Sequence, residues 1–408
     1  MRLTKIALVL AGLLLALPAM AEPVTLRFWV AWDPAQPDAK AMQAQIAAFE
    51  QAHPDIRIET QNIAFSALHD KLVTAVAGGD APDISWGLPE WFGELYRMGA
   101  LLDLTPYAAD WPGREAIYPN VIEALTIDGK LMAMPHYLGI RALLYHEETL
   151  KKAGVAAPPK TWDEFTADAQ KITALGDGTV GYAMPLGPEE AQAEFSIWMF
   201  NNGGNWKTDD KWTINSPQNV DTLTFLKTLS VNDKVTQNNP GKTNRTDGAF
   251  PLFQSGKAGM VVGFSPLAAT LDKDAKVKYA TAPMPTKSGG APATYGVTDY
   301  LMAFKKPGNQ DAVKAFYDLY YSPDQVNTFI KAEGFLPVTE SGVKQFSSDP
   351  KLKTYLDTLT GAKLTPTDDP NWDRVKLAVQ QNIGAAVAPT GDPKAVLDKL
   401  QAQAESGG

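Results

Sequence analysis

Along the mature part of the chain, apolar positions change period in a regular order. The apolar-rich segment Val24 to Val30 predicts a strand. Pro37 then opens a helix with Met42, Ile46 and Phe49 on one face, which His53-Pro54 stops. Ile56 and Ile58 alternate with polar residues in a second strand. Ser66 is expected to cap a helix carrying Leu68, Leu72, Val73 and Val76, and Gly78-Gly79 ends it. Pro82 to Trp86 starts a third strand. Strand, helix, strand, helix, strand predicts a parallel sheet with crossover helices, whose ligands bind beyond the carboxyl ends of the strands. Those ends carry Ala31-Trp32-Asp33, Asn62 to Ser66 and Trp86 to Trp91, all with polar or aromatic groups.

A second unit of the same kind is expected further on. Arg141 to Tyr145 predicts a strand, and Thr161-Trp162-Asp163-Glu164 is a capping box opening a helix with Phe165 and Ile172. Ser216-Pro217, Ser322-Pro323 and Asp392-Pro393 each combine a cap with a proline in the first helical turn, where its missing N–H costs nothing. The 30 prolines and 32 glycines are dispersed, so no low-complexity tether separates two halves.

Met1 to Lys5 is basic, Ile6 to Leu17 is apolar but shorter than the ~20 residues a bilayer span needs, and Pro18-Ala19-Met20-Ala21 fits a small-residue cleavage site. Residues 1–21 are therefore expected to be a cleaved signal peptide. With no cysteine at the cut to carry a lipid, the product is expected free in the periplasm. Removing Arg2 and Lys5 takes the net charge from −9 to −11. That acidity argues against nucleic acid, which calls for a basic stripe. The absence of cysteine from all 408 residues excludes disulfides, thiol nucleophiles, Cys-ligated zinc and iron–sulfur clusters. No cofactor and no metal are expected; Asp209-Asp210 and Asp368-Asp369 lack the alternating ligand spacing of a calcium loop.

Several stretches in order resemble a known family. They include Gly78-Gly79-Asp80-Ala81-Pro82-Asp83-Ile84, Asp128-Gly129-Lys130 through Pro135, Pro158 to Phe165, Trp212 to Pro217, Phe253-Gln254-Ser255-Gly256-Lys257 and Gly334-Phe335-Leu336-Pro337. The chain resembles the family-1 extracellular solute-binding proteins of carbohydrate ABC importers, the class of maltose-binding protein. The resemblance implies an α/β, two-lobed periplasmic binding protein fold with multiple hinge crossovers (type II-like) and a ligand clamped between the lobes. It places crossovers near Pro135–Gly139, Pro283–Thr298 and Lys331–Gly334. The N-lobe would comprise 22–136 and 284–331, and the C-lobe 137–283 and 332–408. The implied partners are a small carbohydrate and the permease subunits of the inner membrane, with the binding protein itself a monomer.

Carbohydrates present apolar ring faces fringed by hydroxyls, so their sites combine flat aromatics with planar polar side chains. Of the ten tryptophans, Trp32, Trp86, Trp91 and Trp372 fall at strand ends or in loops, whereas Trp29 and Trp162 fall in core positions. By resemblance, Asp33 matches an acid that binds sugar hydroxyls, Trp86 and Trp372 match cleft tryptophans, and Phe264 stands where a third stacking aromatic is expected. Glu90 takes the place of an acid in the loop after Trp86, but the arginine expected beside it is missing, which argues against maltodextrin as ligand. Tyr137, Arg141, Thr298 and Asp299 flank the crossovers, and Arg374 follows Trp372. Either arginine would fork onto hydroxyls or an anion, or pair locally with Glu147 or Asp373. Ser66 and the Gly187 loop offer helix-start amides of the kind that bind anions.

The expected ligand is a mono- or disaccharide, a glycosyl-glycerol or a polyol. Two alternatives stand beside it. One is a sulfonated or phosphorylated glycoside held by Arg374 or the Ser66 and Gly187 helix starts. The other is a secreted glycoside hydrolase using two facing carboxylates; no H-E-x-x-H or G-x-S-x-G constellation is present.

Overall fold

The computed structural model describes residues 23–31, 37–111, 117, 119–274, 277–322, 328, 330, 334–349, 352–367, 369 and 371–406. The expected leader lies outside these residues, as do Trp32, Asp33 and Pro323. No helix among the described residues is long and apolar enough to cross a membrane.

Nine strands form one mixed sheet among the described residues. In chain order they are β1 (Val24–Val30), β2 (Ile56–Asn62), β3 (Ile84–Gly87), β4 (Met134–His146), β5 (Val180–Ala183), β6 (Ala258–Phe264), β7 (Tyr279–Ala282), β8 (Thr294–Ala303) and β9 (Ala362–Lys363). Their spatial order is β2-β1-β3-β8-β4-β6-β5, with β7 on β4 and β9 on β8. β1 runs parallel to β2 and β3, as the alternation of strands and helices predicts. The second unit differs. β4 is antiparallel to β6, β7 and β8, while β5 pairs with β6, and β9 with β8, in parallel. β4 is also longer than the expected Arg141–Tyr145, because it arrives from the first half already extended.

Three of the expected helix starts carry a side-chain cap. Thr161 Oγ1 accepts the Glu164 N–H at 3.2 Å, and Glu164 reaches back to the Lys160 N–H at 2.7 Å. Ser216 and Asp392 accept N–H groups from Asn219 and Ala395. Ser66 is not the cap position: the helix Phe65–Ala77 begins two residues earlier than expected, after Ala64, with no side-chain cap. Its end is as expected, with Gly79 at φ 71°, a conformation glycine adopts without strain.

Two large cores lie on either side of the β4–β8 pair. The first gathers Leu26, Phe28, Leu72, Ile84, Phe92, Leu301 and Phe316; the second gathers Phe165, Tyr182, Trp198, Trp206, Leu223 and Trp372. A smaller cluster forms around Leu144, Phe253 and Val261. The partition departs from the expected lobe boundaries at three points, the first being that Leu138, Ile140 and Ala142 of β4, expected in the C-lobe, pack into the first core. Met284 and Tyr295 pack into the second core, because β8 starts on that side and ends on the other. Leu336, Val338, Tyr355 and Leu359 pack into the first, where Leu336 pairs with Leu138 of β4 through two backbone hydrogen bonds.

Within the second core, Glu194 is 4 % exposed. It accepts hydrogen bonds from Trp198 Nε1 at 2.9 Å and from the Tyr182 hydroxyl. Burial disfavours its anion more than these donors and the nearby Arg141 favour it, so its carboxyl is pushed up to about 7. The sign follows directly. An acid whose pKa rises on folding weakens the fold as pH climbs from its unfolded value to its folded one, by ~3 kcal/mol here. Glu194→Gln should therefore unfold at nearly the wild-type temperature at pH 4.5 and gain on wild type progressively up to pH 7. Thermal melts at half-unit pH steps read this directly; parallel curves for the two proteins would refute it.

Candidate functional site

The β4–β8 pair forms the floor of a cavity of about 390 Å³, within the range of small-ligand sites. Tyr137, Gly139 and Arg141 line it from β4, as alternation on one strand face requires. On β8 the alternation breaks. Tyr295 to Tyr300 all border the cavity, and the pairing shifts between Thr298, opposite Leu138, and Tyr300, opposite Pro135. The wall from the first half comprises Ala31, Trp86, Leu88 and Pro89. The opposite wall holds Glu190 and Gln192 at the start of the helix Ala191–Phe200, Arg245, Phe264 at the end of β6, and Tyr295. A late segment, Leu364 to Thr367 with Trp372 and Lys376, completes it. That segment is tied down by the Lys207–Asp369 ion pair at 2.7 Å and by Trp372 packing on Trp206 and Trp212.

The electrostatic centre is Glu190. It pairs with Arg141 at 2.6 Å and with Arg245, which also reaches Glu189 at 3.5 Å. Burial alone would raise the Glu190 pKa, but the two guanidinium charges outweigh it and hold the carboxylate low. The guanidiniums are layered between rings. Arg141 lies 5.3 Å from the centroids of both Tyr295 and Phe264, and Arg245 lies 4.9 Å from Phe264 and 5.7 Å from Phe250. Across the floor, the Tyr137 hydroxyl donates to Asp299. Arg141, Arg245 and Lys376 are thus matched by Glu189, Glu190 and Asp299, and the site carries little net charge.

Seven of the expected residues line this cavity: Trp86, Tyr137, Arg141, Phe264, Thr298, Asp299 and Trp372. Arg141 finds its partner in Glu190, not in the nearby Glu147, because β4 carries it towards the second wall. Two expectations fail. Arg374 donates to the carbonyls of Gln403 and Ala404, at the end of the last helix where unpaired carbonyls attract a cation. The Gly187 amide donates to Thr243 O at 2.8 Å, so it is not free for an anion. His136, the neighbour of Tyr137, is buried against Tyr320, and burial pushes its pKa down to about 3. Trp91 packs edge-on against Trp86 instead of lining the cavity. Trp32 and Asp33 lie outside the described residues, as do the side chains of Ser66 and Glu90.

Glu190, Gln192, Arg245, Phe335 and Lys376 also line the cavity, and sequence reasoning missed them. The pair Glu189-Glu190 directly before an apolar helix was the available signal for one of them. Because Arg141 and Arg245 share Glu190, Glu190→Gln should strand the mostly buried Arg141 and leave Arg245 only its 3.5 Å pairing with Glu189. The expected loss is about 2–4 kcal/mol in urea unfolding, together with a new stabilisation by sulfate that wild type lacks. A neutral effect on both would mean the triad carries no such load.

Comparison with known proteins places this geometry in context. Residues 33–327 match the family described as bacterial extracellular solute-binding protein. A protein of Brucella abortus (strain 2308) named as a binding protein is 28 % identical over 404 residues, 97 % of each chain. The arabinooligosaccharide-binding protein of Bacillus subtilis (strain 168) is 25 % identical over 255 residues, 60 % of this chain and 58 % of its own. The cyclic alpha-maltosyl-1,6-maltose binding protein from Arthrobacter globiformis superposes with a TM-score of 0.83 at 25 % identity, covering 94 % of this chain and 98 % of its own. The mixed sheet, the cavity on its central strand pair and a family match across most of the sequence agree: the chain belongs to the bacterial extracellular solute-binding proteins.

Proposed function

We propose that this protein captures a neutral carbohydrate in the cavity over the β4–β8 pair and delivers it, from the periplasm, to an ABC permease. The observation that carries the reading is the charge balance of the walls. Glu190 and Glu189 together offset Arg141 and Arg245, and Asp299 balances Lys376 in number, so the site offers hydroxyl acceptors at Glu190 and Asp299 beside aromatic surface without net positive charge. Sugar hydroxyls suit such carboxylates, since a charged acceptor strengthens each hydrogen bond. The ligands named for the Bacillus and Arthrobacter relatives are both carbohydrates. An anionic glycoside loses support, because Arg374 and Gly187, two of the groups expected to hold it, spend their donors elsewhere. Closure of the two halves over the ligand would be the functional step, and the permease would read the closed form.

The test is thermal unfolding followed by intrinsic tryptophan fluorescence, against neutral mono- and disaccharides, glycosyl-glycerols, polyols and their phosphorylated or sulfonated counterparts. A neutral ligand at a hundred times its Kd should stabilise the protein by about 2.7 kcal/mol, with little dependence on salt. Reducing-sugar assays on responding glycosides should stay at background. Response confined to the anionic members, or glycoside cleavage, would overturn the reading.

A further inference from the structure

The side chains at 137, 139 and 141 of β4 share one strand face, and all three positions border the cavity. Tyrosine and arginine fill two of them. The third is Gly139, which leaves a notch in the floor. Phe335 covers that notch from a different part of the chain: a Cβ placed on Gly139 would lie 3.4 Å from Phe335 Cε1 and 3.7 Å from its Cδ1. The ring is held flat. It stacks on Tyr137 with centroids 3.8 Å apart and planes within 6°, and lies within 13° of parallel to Phe264 at 6.2 Å. Its backbone is fixed as well, because the next residue, Leu336, exchanges hydrogen bonds of 2.8 and 3.0 Å with Leu138. Phe335 is nevertheless only half-buried and itself lines the cavity. It therefore acts as a floor plate inserted over a strand that has no side chain of its own at that point.

We propose that Phe335 sets the depth of the cavity and so the size of ligand the protein accepts, an inference that rests on the carbohydrate reading above. The pair Phe335 and Gly139 gives substitutions of opposite sign. Removing the ring in Phe335→Ala opens the floor down to Gly139 and the Val297 carbonyl, which lies 3.7 Å from the same Cβ position. Adding a branched side chain in Gly139→Val drives the ring upward into the cavity, since even the first carbon is already in contact with it.

The experiment measures Kd by titration calorimetry for wild type, Phe335→Ala and Gly139→Val against glucose, galactose and arabinose, and against di- and trisaccharides built from each. The readout is the ratio of affinities for the larger and smaller members of a series. Phe335→Ala should move this ratio about ten-fold towards the larger sugars and Gly139→Val about ten-fold towards the smaller. Phe335→Leu, which still covers Tyr137 and Phe264, should give a smaller shift in the Phe335→Ala direction, and it carries the test if Phe335→Ala does not fold by circular dichroism. Wild type that binds sugars with the same size preference as every folded variant would overturn this inference alone. Wild type silent across the whole panel would overturn the carbohydrate reading and this inference with it.

Discussion

The structure depends on a single strand pair that must satisfy two cores at once. All but one of the thirteen residues of β4 are buried. Its first half is paired with β8, and its second with β6 and β7. A slip of one residue would turn every side chain to the opposite face, and here it would do so in both cores together. Leu143 packs in the second core while Leu144 packs in the small cluster on the other face, so neither could exchange places without loss. This doubled constraint fixes the register, and the register places Tyr137, Gly139 and Arg141 on the cavity floor.

Upon that floor the site is built from charges that need one another. Arg141 comes from β4, Arg245 from the start of the short helical segment Arg245–Ala249 more than a hundred residues later, and Glu190 from the start of a helix between them. A guanidinium buried alone would be very costly, whereas one layered between rings and bonded to a carboxylate is tolerable. The arrangement leaves Glu190 ionised in a place where burial alone would tend to protonate it. One turn further along the same helix, Glu194 has two neutral donors and a more distant cation, and burial prevails. Two acids at one helix thus shift in opposite directions for a reason visible in their neighbours.

Local signals in the sequence were read well where they act locally. Strand β1, the helix from Pro37, the Thr161 capping box and the Asp392 cap follow from adjacent residues. The floor residues Tyr137, Thr298 and Asp299, and the walls at Trp86, Phe264 and Trp372, were reachable because motif order matched a known family. What could not be read was side-chain partnership across long separations. Arg374 stands beside an expected cleft tryptophan, yet its guanidinium turns to the end of the last helix, about thirty residues away. Gly187 stands where a helix-start amide would attract an anion, yet its N–H is taken by Thr243. The antiparallel setting of β4 was equally hidden, since a strand's own pattern records which faces are buried and not which way its neighbours run.

The late segment that closes one wall has a consequence for the order of events during synthesis. Leu364, Thr365, Thr367 and Trp372 come from the last fifty residues, and they are anchored by Lys207 and by Trp206, laid down far earlier. The floor likewise joins β4 to a strand some 150 residues downstream. Contacts so distant in sequence form slowly, and the cavity exists only once they have formed. A nascent or partly translocated chain therefore has no finished binding site to offer. Ligand can reward only the completed fold, so it acts as a check on the finished molecule and not as a template for building it.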